Sequence, residues 1–203
     1  MSVVSIDEFV QGLAAIREED FVPERVSEFI ARRPIKPESL EPYLFFCRTH
    51  YTRNLIFKNA MFEAIAVGWE VGQSSMIHNH RDQNCWMAVP IGQLNNQNYR
   101  VVRRDPVRHY CELVSTTTFL ITPALPLRVD PEEPVHQVLN LPKFGARAVS
   151  IHIYSRPFNT CEVYSLEKKS YWDVPLEYTS EYGRLTADQR GEIECPAGAR
   201  TSG

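Results

Sequence analysis

The sequence predicts a mainly β protein, a barrel or double-sheet jelly roll with helices packed on its outside. From Tyr51 to about Phe158, short β-rich runs alternate with turn residues: Phe62–Trp69, Ser75–His80, Trp86–Pro90, Tyr99–Val102, Thr117–Ile121, Val135–Leu139 and Ala146–Tyr154. Many short strands at even spacing favour a closed or double-sheet architecture, which also removes exposed sheet edges. Before Tyr51 the texture is helical instead.

The elements follow in order. Ser5-Ile6-Asp7-Glu8 is a capping-box sequence, and Phe9, Leu13 and Ile16 follow at helical spacing. Pro23 opens a second helical stretch with Val26, Phe29 and Ile30 on its apolar face, ending near Pro34. Ser39 is read as the cap of a third, short helix, with Pro42 in its first turn and Tyr43 and Phe46 on its apolar face. Residues 1–50 are thus an N-terminal helical segment, and 51–182 a barrel with a C-terminal extension, all in one domain. Residues 183–203 lose periodicity, which predicts a polar, mobile tail. No internal repeat and no glycine-rich phosphate loop is present.

At 203 residues the chain is long enough for one well-packed domain and short for two. Hydrophobic content of 43% and charged content of 23% are those of a soluble globular protein. A net charge of −3 gives no general attraction to nucleic acid or to anionic membrane. No apolar run approaches the roughly 20 residues that span a bilayer. The first residues carry neither a basic flank nor a cleavable apolar core, so a cytoplasmic location is expected. Five cysteines without a C-x-x-C pair give neither a disulfide framework nor a zinc finger.

The chemistry is concentrated in His78-Asn79-His80 and a distant His136. Side chains alternate along a strand, so His78 and His80 share a face and Asn79 points away. A third imidazole from another strand completes a three-nitrogen metal site with positions left open. Three neutral imidazoles suit Fe(II), Zn(II), Ni(II) or Cu(II), and the ligands alone do not choose among them. A single histidine is usually a surface or hydrogen-bonded core residue, and His50 and His109 are read that way.

Flanking residues sharpen this reading. Five residues separate Gly72 from His78, Cys85 and Gly92 follow, and Pro131, His136 and Asn140 repeat a second spacing. The pattern resembles the two metal-binding motifs of the cupin superfamily, G-x5-H-x-H-x4-E-x6-G and P-x-G-x2-H-x3-N. The resemblance implies a cupin-type jelly-roll β-barrel. Two positions depart from it: Cys85 stands where many cupins carry a metal-ligating glutamate, and Glu133 where the second motif has glycine. The first change leaves a neutral ligand set; the second bears only on a turn.

A narrower resemblance follows. Tyr51-Thr52-Arg53-Asn54-Leu55, His78-x-His80 with Cys85, His136, Ser150-x-His152-x-Tyr154 and Pro157-Phe158-x-Thr160-Cys161 together resemble the cysteine dioxygenase family, over roughly residues 40–182. The resemblance implies Fe(II) on His78, His80 and His136, L-cysteine bound through sulfur and amine, and O2 as co-substrate, giving cysteine sulfinate. A neutral ligand set suits a substrate that arrives as a thiolate. Arg53 is the implied carboxylate clamp, with its two parallel donors, and Tyr51 a further hydroxyl donor. Ser150, His152 and Tyr154 alternate on one strand face, so they form either a proton relay ending at Tyr154 or a hydrogen-bonded patch inside the barrel. In family members with cysteine at the position of Cys85, its sulfur is joined to the ring carbon beside the hydroxyl of the tyrosine matching Tyr154. A small buried hydrophobe is the ordinary alternative for such a cysteine.

Asn79 replaces an aspartate common in the family, and Trp86 and Ala88-Val89-Pro90 are unlike its usual sequence, which leaves pocket shape and substrate open. Three outcomes are therefore weighed: cysteine oxidation to the sulfinate; oxidation of another small thiol such as 3-mercaptopropionate, or diversion to a product such as a sulfonamide; and a non-catalytic cupin that binds metal or a small ligand. The expected partners are a small-molecule thiol and O2, with no nucleic acid or membrane, and the resemblance implies a monomer.

Overall fold

The N-terminal helices form as their caps dictate in the computed structural model, which describes residues 2–187 and 193–195. Helix α1 spans Ile6–Ala14; the Glu8 amide donates to Ser5 Oγ at 3.2 Å and the Ser5 amide to the Glu8 carboxylate at 2.7 Å. Helix α2 spans Pro23–Arg32, with proline in its first turn. The third helix departs from expectation. It is a 3-10 segment over Pro37–Tyr43, starting before Ser39, and Phe46 lies beyond it in a strand. Pro37 presets its first turn, while Pro42 lacks the N–H an α-helix needs there. The Ser39 hydroxyl instead accepts from the Ile6 amide at 2.9 Å, tying this segment to α1.

Strands follow as β1 Phe46–Cys47, β2 Thr52–Lys58, β3 Phe62–Trp69, β4 Ile77–His78, β5 Cys85–Ile91, β6 Leu94–Asp105, β7 Tyr110–Ile121 and β8 Leu127–Arg128. Then come β9 Val135–Leu139, β10 Ala148–Ser155, β11 Thr160–Ser165, β12 Ser170–Pro175, β13 Ser180–Glu181, β14 Arg184–Leu185 and β15 Ile193–Glu194. One sheet runs β14-β13-β2-β3-β10-β5-β8. The other runs β11-β12-β7-β6-β9-β4 and closes on itself, because β4 pairs with both β9 and β11. This is the jelly-roll-like, mainly β architecture that the even strand spacing predicts.

Three apolar layers hold it. Phe62, Ala64, Ala66, Ile151 and Ile153 of the first sheet pack against Phe9, Leu13, Val26 and Phe29 of the helices. The alternate residues Ile65, Val67, Trp69 and Tyr154 face the space between the sheets with Cys85, Met87 and Val138. A third cluster, including Tyr99, Val135, Tyr164 and Tyr171, belongs to the second sheet. Burial on both faces explains why β3 is buried along its whole length and reads as a continuous apolar run rather than an alternation.

Two expectations are corrected. The run Ser75–His80 pairs as a strand only at Ile77–His78, and His80 lies just past its end, before left-handed turn residues Arg81 and Asp82. The expected tail is paired where it is described: β14 lies on β13, β15 lies on β1, and Arg147 forks onto Glu194 at 2.8 and 2.6 Å. Residues 188–192 and 196–203 of that span lie outside the described residues. Among the described residues, no helix is long and apolar enough to cross a membrane.

Gly68 of β3 leaves no room for a side chain. A Cβ there would lie 2.4 Å from the Phe45 carbonyl oxygen and 2.7 Å from Thr52 Oγ1. Backbone cannot yield as a side chain does, so Gly68→Ala is expected to destabilise by about 2 kcal/mol. Thermal unfolding should show a midpoint lower by roughly 4–8 °C for a chain of this size.

Candidate metal centre and substrate pocket

Strand β4 places His78 opposite His136 of β9 as a direct antiparallel partner, so their side chains share one face. His80, two residues on, returns to the same side. Ring centroids lie 5.0 Å apart for His78–His80, 4.6 Å for His78–His136 and 4.9 Å for His80–His136. One nitrogen from each ring lies within 4.8 Å of the others, and His80 Nε2 is 3.3 Å from His136 Nε2. That separation is within the span of two metal–nitrogen bonds of about 2.1 Å.

The unused nitrogens are fixed from behind. His78 Nδ1 donates to the Met76 carbonyl at 2.9 Å, and His136 Nδ1 donates to Asn96 Oδ1 at 2.5 Å. Asn96 is held in turn by Asn98, to whose Oδ1 it donates at 2.6 Å. Such partners set the tautomer and direct the other nitrogen inward. Burial pushes the His78 pKa down to about 4, and those of His80 and His136 well below the usual histidine range. All three rings are therefore neutral at physiological pH, with lone pairs available. The residues fit a divalent metal with a preference for nitrogen ligands.

His78 and His80 form one wall of a cavity of about 250 Å³ that Tyr51, Arg53, Tyr154, Phe158 and Cys161 also line, with His136 buried behind them. A larger groove, lined only by residues between Ser2 and Arg33, holds none of this chemistry. Arg53 projects from β2. Its Nε and Nη2 are buried and have no hydrogen-bond partner among the described residues. A buried charged donor without a partner is destabilising, and a ligand carboxylate would satisfy it. Tyr51 stacks on Trp69 with centroids 4.8 Å apart, which fixes its ring at the same wall.

Strand β10 carries a hydrogen-bonded row of Ser150, His152 and Tyr154. Ser150 Oγ lies 2.8 Å from His152 Nε2, and His152 Nδ1 lies 3.1 Å from the Tyr154 hydroxyl. The sequence reading missed the residue that gives this chain its direction. Trp69 Nε1 donates to Ser150 Oγ at 2.9 Å. Trp69 takes one of the two lone pairs of Ser150 Oγ and so orients the hydroxyl; in the tautomer with its proton on Nδ1, His152 accepts the serine hydrogen at Nε2 and donates to Tyr154. The Tyr154 hydrogen is left for Cys85 or for a group in the pocket. Burial, then the Arg53 charge, hold His152 down at about 3, so the ring is neutral at physiological pH. Burial and the neighbouring Cys85 push Tyr154 well above the usual phenol range, which makes it a proton donor rather than an anion.

Cys85 is the strand partner of Tyr154 and fully buried, in the same apolar cluster as the tyrosine. Burial raises its thiol pKa. Asn79 faces away from the histidines, donating to Glu162 at 3.3 Å and to the Tyr164 hydroxyl at 3.0 Å. Trp86 does not shape the pocket: it packs toward the helices and donates to Ser27 at 3.0 Å.

The chain is similar in sequence to known proteins. Cysteine dioxygenase type 1 of Danio rerio is 25% identical over 193 residues, covering 92% of each chain. The Bos taurus protein of the same name is 25% identical, covering 83% of this chain and 82% of its own. Among solved structures, an uncharacterized protein with a double-stranded β-helix domain from Klebsiella pneumoniae aligns over 58% of this chain and 82% of its own, at 11% identity and a TM-score of 0.45. The sequence model for cysteine dioxygenase type I matches residues 3–167, from the first helix past the relay strand, and on that match the chain belongs to this family of dioxygenase-type oxidoreductases.

Proposed function

We propose that the protein is an Fe(II)-dependent thiol dioxygenase that oxidises L-cysteine with O2 to cysteine sulfinate. The observation that carries this reading is a pairing across one cavity. Arg53 offers two buried donors without a partner, and the same space is lined by His78 and His80, which cluster with His136 as three neutral imidazoles. Fe(II) held by His78, His80 and His136 would supply the redox centre at which a thiolate and O2 react. An uncharged ligand set leaves the ion's full charge to attract a thiolate. Arg53 binds and orients the substrate carboxylate through a planar fork. Tyr154 holds a proton at its hydroxyl, aimed by His152, Ser150 and Trp69. Phe158, 5.1 Å from the Tyr154 ring, keeps the pocket side of that phenol apolar.

The test is O2 uptake by the Fe(II)-loaded protein with L-cysteine, with mass analysis of the product. One O2 consumed per sulfinate formed is the expected result. Uptake that yields a sulfonamide, or that requires 3-mercaptopropionate, would replace the substrate or product assigned here. No uptake with either thiol would leave a metal-binding cupin without this activity.

Trp69→Phe should keep the stack on Tyr51 and remove the donor to Ser150. The serine hydroxyl then loses the donor that orients it toward His152. We expect kcat to fall about 10-fold with KM little changed, in line with loss of an outer hydrogen-bond partner. An unchanged kcat would reduce the relay to a packing feature.

The Cys85–Tyr154 thioether belongs to the same proposal. Direct strand pairing and a shared buried cluster of the two residues support it. Bond formation removes the thiol hydrogen and one ring hydrogen, with two electrons passing to O2. Intact mass after turnover should be lower by ~2 Da, as for any oxidation that joins two side chains. An unshifted mass would eliminate the crosslink.

A further inference from the structure

A charged residue interrupts the apolar run of β3, and the proposed reaction does not use it. Glu63 is fully buried and is the strand partner of Lys58 on one side and of Tyr154 on the other. The Tyr178 hydroxyl donates to Glu63 Oε2, while Glu63 Oε1 has no hydrogen-bond partner among the described residues. Lys58 donates to the same Tyr178 hydroxyl at 3.3 Å and lies 3.7 Å from Glu63, with its side chain one-third exposed. The Tyr178 ring lies 5.9 Å from the Arg53 guanidinium carbon. An unsatisfied cation and an unsatisfied carboxylate oxygen therefore flank one tyrosine, and the two do not form an ion pair.

We propose that Glu63 is a specificity-determining residue that sets the strength of the Arg53 clamp, with Tyr178 holding it apart from the guanidinium. Opposite charges in low dielectric attract over several ångströms. Without Tyr178, Glu63 would pair with Arg53 and take the donors a ligand needs. With Tyr178 in place, the donors stay open, yet an entering carboxylate still meets the repulsion of Glu63. Lys58, partly in solvent, is screened and cancels little of this. The pocket thus binds a carboxylate less tightly than a lone buried arginine would. This inference rests on Arg53 being the carboxylate clamp.

The experiment is anaerobic calorimetric titration of the Fe(II)-loaded protein with L-cysteine and with cysteamine, which has the same thiol and amine and no carboxylate. The ratio of the two dissociation constants isolates the carboxylate. Arg53→Ala tests the clamp by itself: a ratio that does not collapse would refute the clamp and leave Glu63 without its role. Given a collapse, Glu63→Gln is expected to bind L-cysteine ~5-fold more tightly, and Tyr178→Phe ~10-fold more weakly, with cysteamine unmoved in both; a tenfold change is about 1.4 kcal/mol. In the Glu63→Gln background, Tyr178→Phe should have little further effect, because the carboxylate it restrains is gone. A packing role would shift both variants the same way, or shift both thiols together. Either result, or a Glu63→Gln ratio equal to wild type, overturns the proposal.

Discussion

Replacing His136 by alanine is expected to abolish stable metal loading, weakening divalent-metal affinity by more than ~100-fold. Removing a partner behind a ligand commonly weakens metal binding 10–100-fold, and removing the ligand should exceed that. His136 is completely buried, and its two nitrogens serve different masters: Nδ1 is bound to Asn96, and Nε2 faces His80. Asn96→Ala should therefore give the intermediate phenotype, since the ring remains and only its aim is lost. The measurement is thermal unfolding with and without added metal. At a metal concentration 100-fold above Kd, binding stabilises the wild type by about 2.7 kcal/mol. That corresponds to a rise in Tm of roughly 5–11 °C for a chain of this size. His136→Ala should show no rise at that concentration, and Asn96→Ala a smaller one. An equal rise in wild type and His136→Ala would place the metal on other ligands.

The sequence made His136 legible, and Asn96 not, for a physical reason. A pair at i and i+2 flanked by glycines is a local pattern, as is the Pro131–Asn140 spacing. Asn96 reaches His136 only because β6 lies beside β9, pairing that strand register, not sequence distance, determines. The same holds for Trp69, which meets Ser150 across the β3–β10 ladder. Strand β3 and strand β9 match their expected limits, β3 because its run is apolar but for Glu63 and β9 because Val135, Val138 and Leu139 bracket two polar residues between turns. The twelve-residue strands β6 and β7 were visible only in part, because their solvent-facing Arg, Glu and Thr residues mask the alternation. Strands β11 and β12 were not read as strands at all. Glu63 did leave a signal: it is the single charge in a strand buried on both faces. A charge in that setting requires a partner, and the partner, Tyr178, came from 115 residues away.

Arg53→Ala is expected to lower kcat/KM for L-cysteine ~100-fold, or about 3 kcal/mol, the loss that follows when one member of a buried charged hydrogen-bonded pair is removed. The guanidinium is already desolvated before substrate arrives, because two of its donors are buried without partners. Binding a carboxylate therefore gains the charged bonds without first stripping water from the arginine, which is the advantage of a preorganised site. Arg53→Lys should recover only part of the loss, since an ammonium cannot reproduce the planar fork. Cysteamine, lacking the carboxylate, should be turned over equally by wild type and Arg53→Ala, however slowly. Stability separates this role from a structural one. An arginine that held the fold would leave orphaned partners when removed and lower stability by several kcal/mol. Arg53 has no side-chain hydrogen bond at Nε or Nη2 to orphan, so metal-free Arg53→Ala is expected to be at least as stable as wild type. Equal stability with a large kinetic loss assigns the arginine to the ligand; a fall in both would make it a structural residue and leave the carboxylate to another group in the pocket.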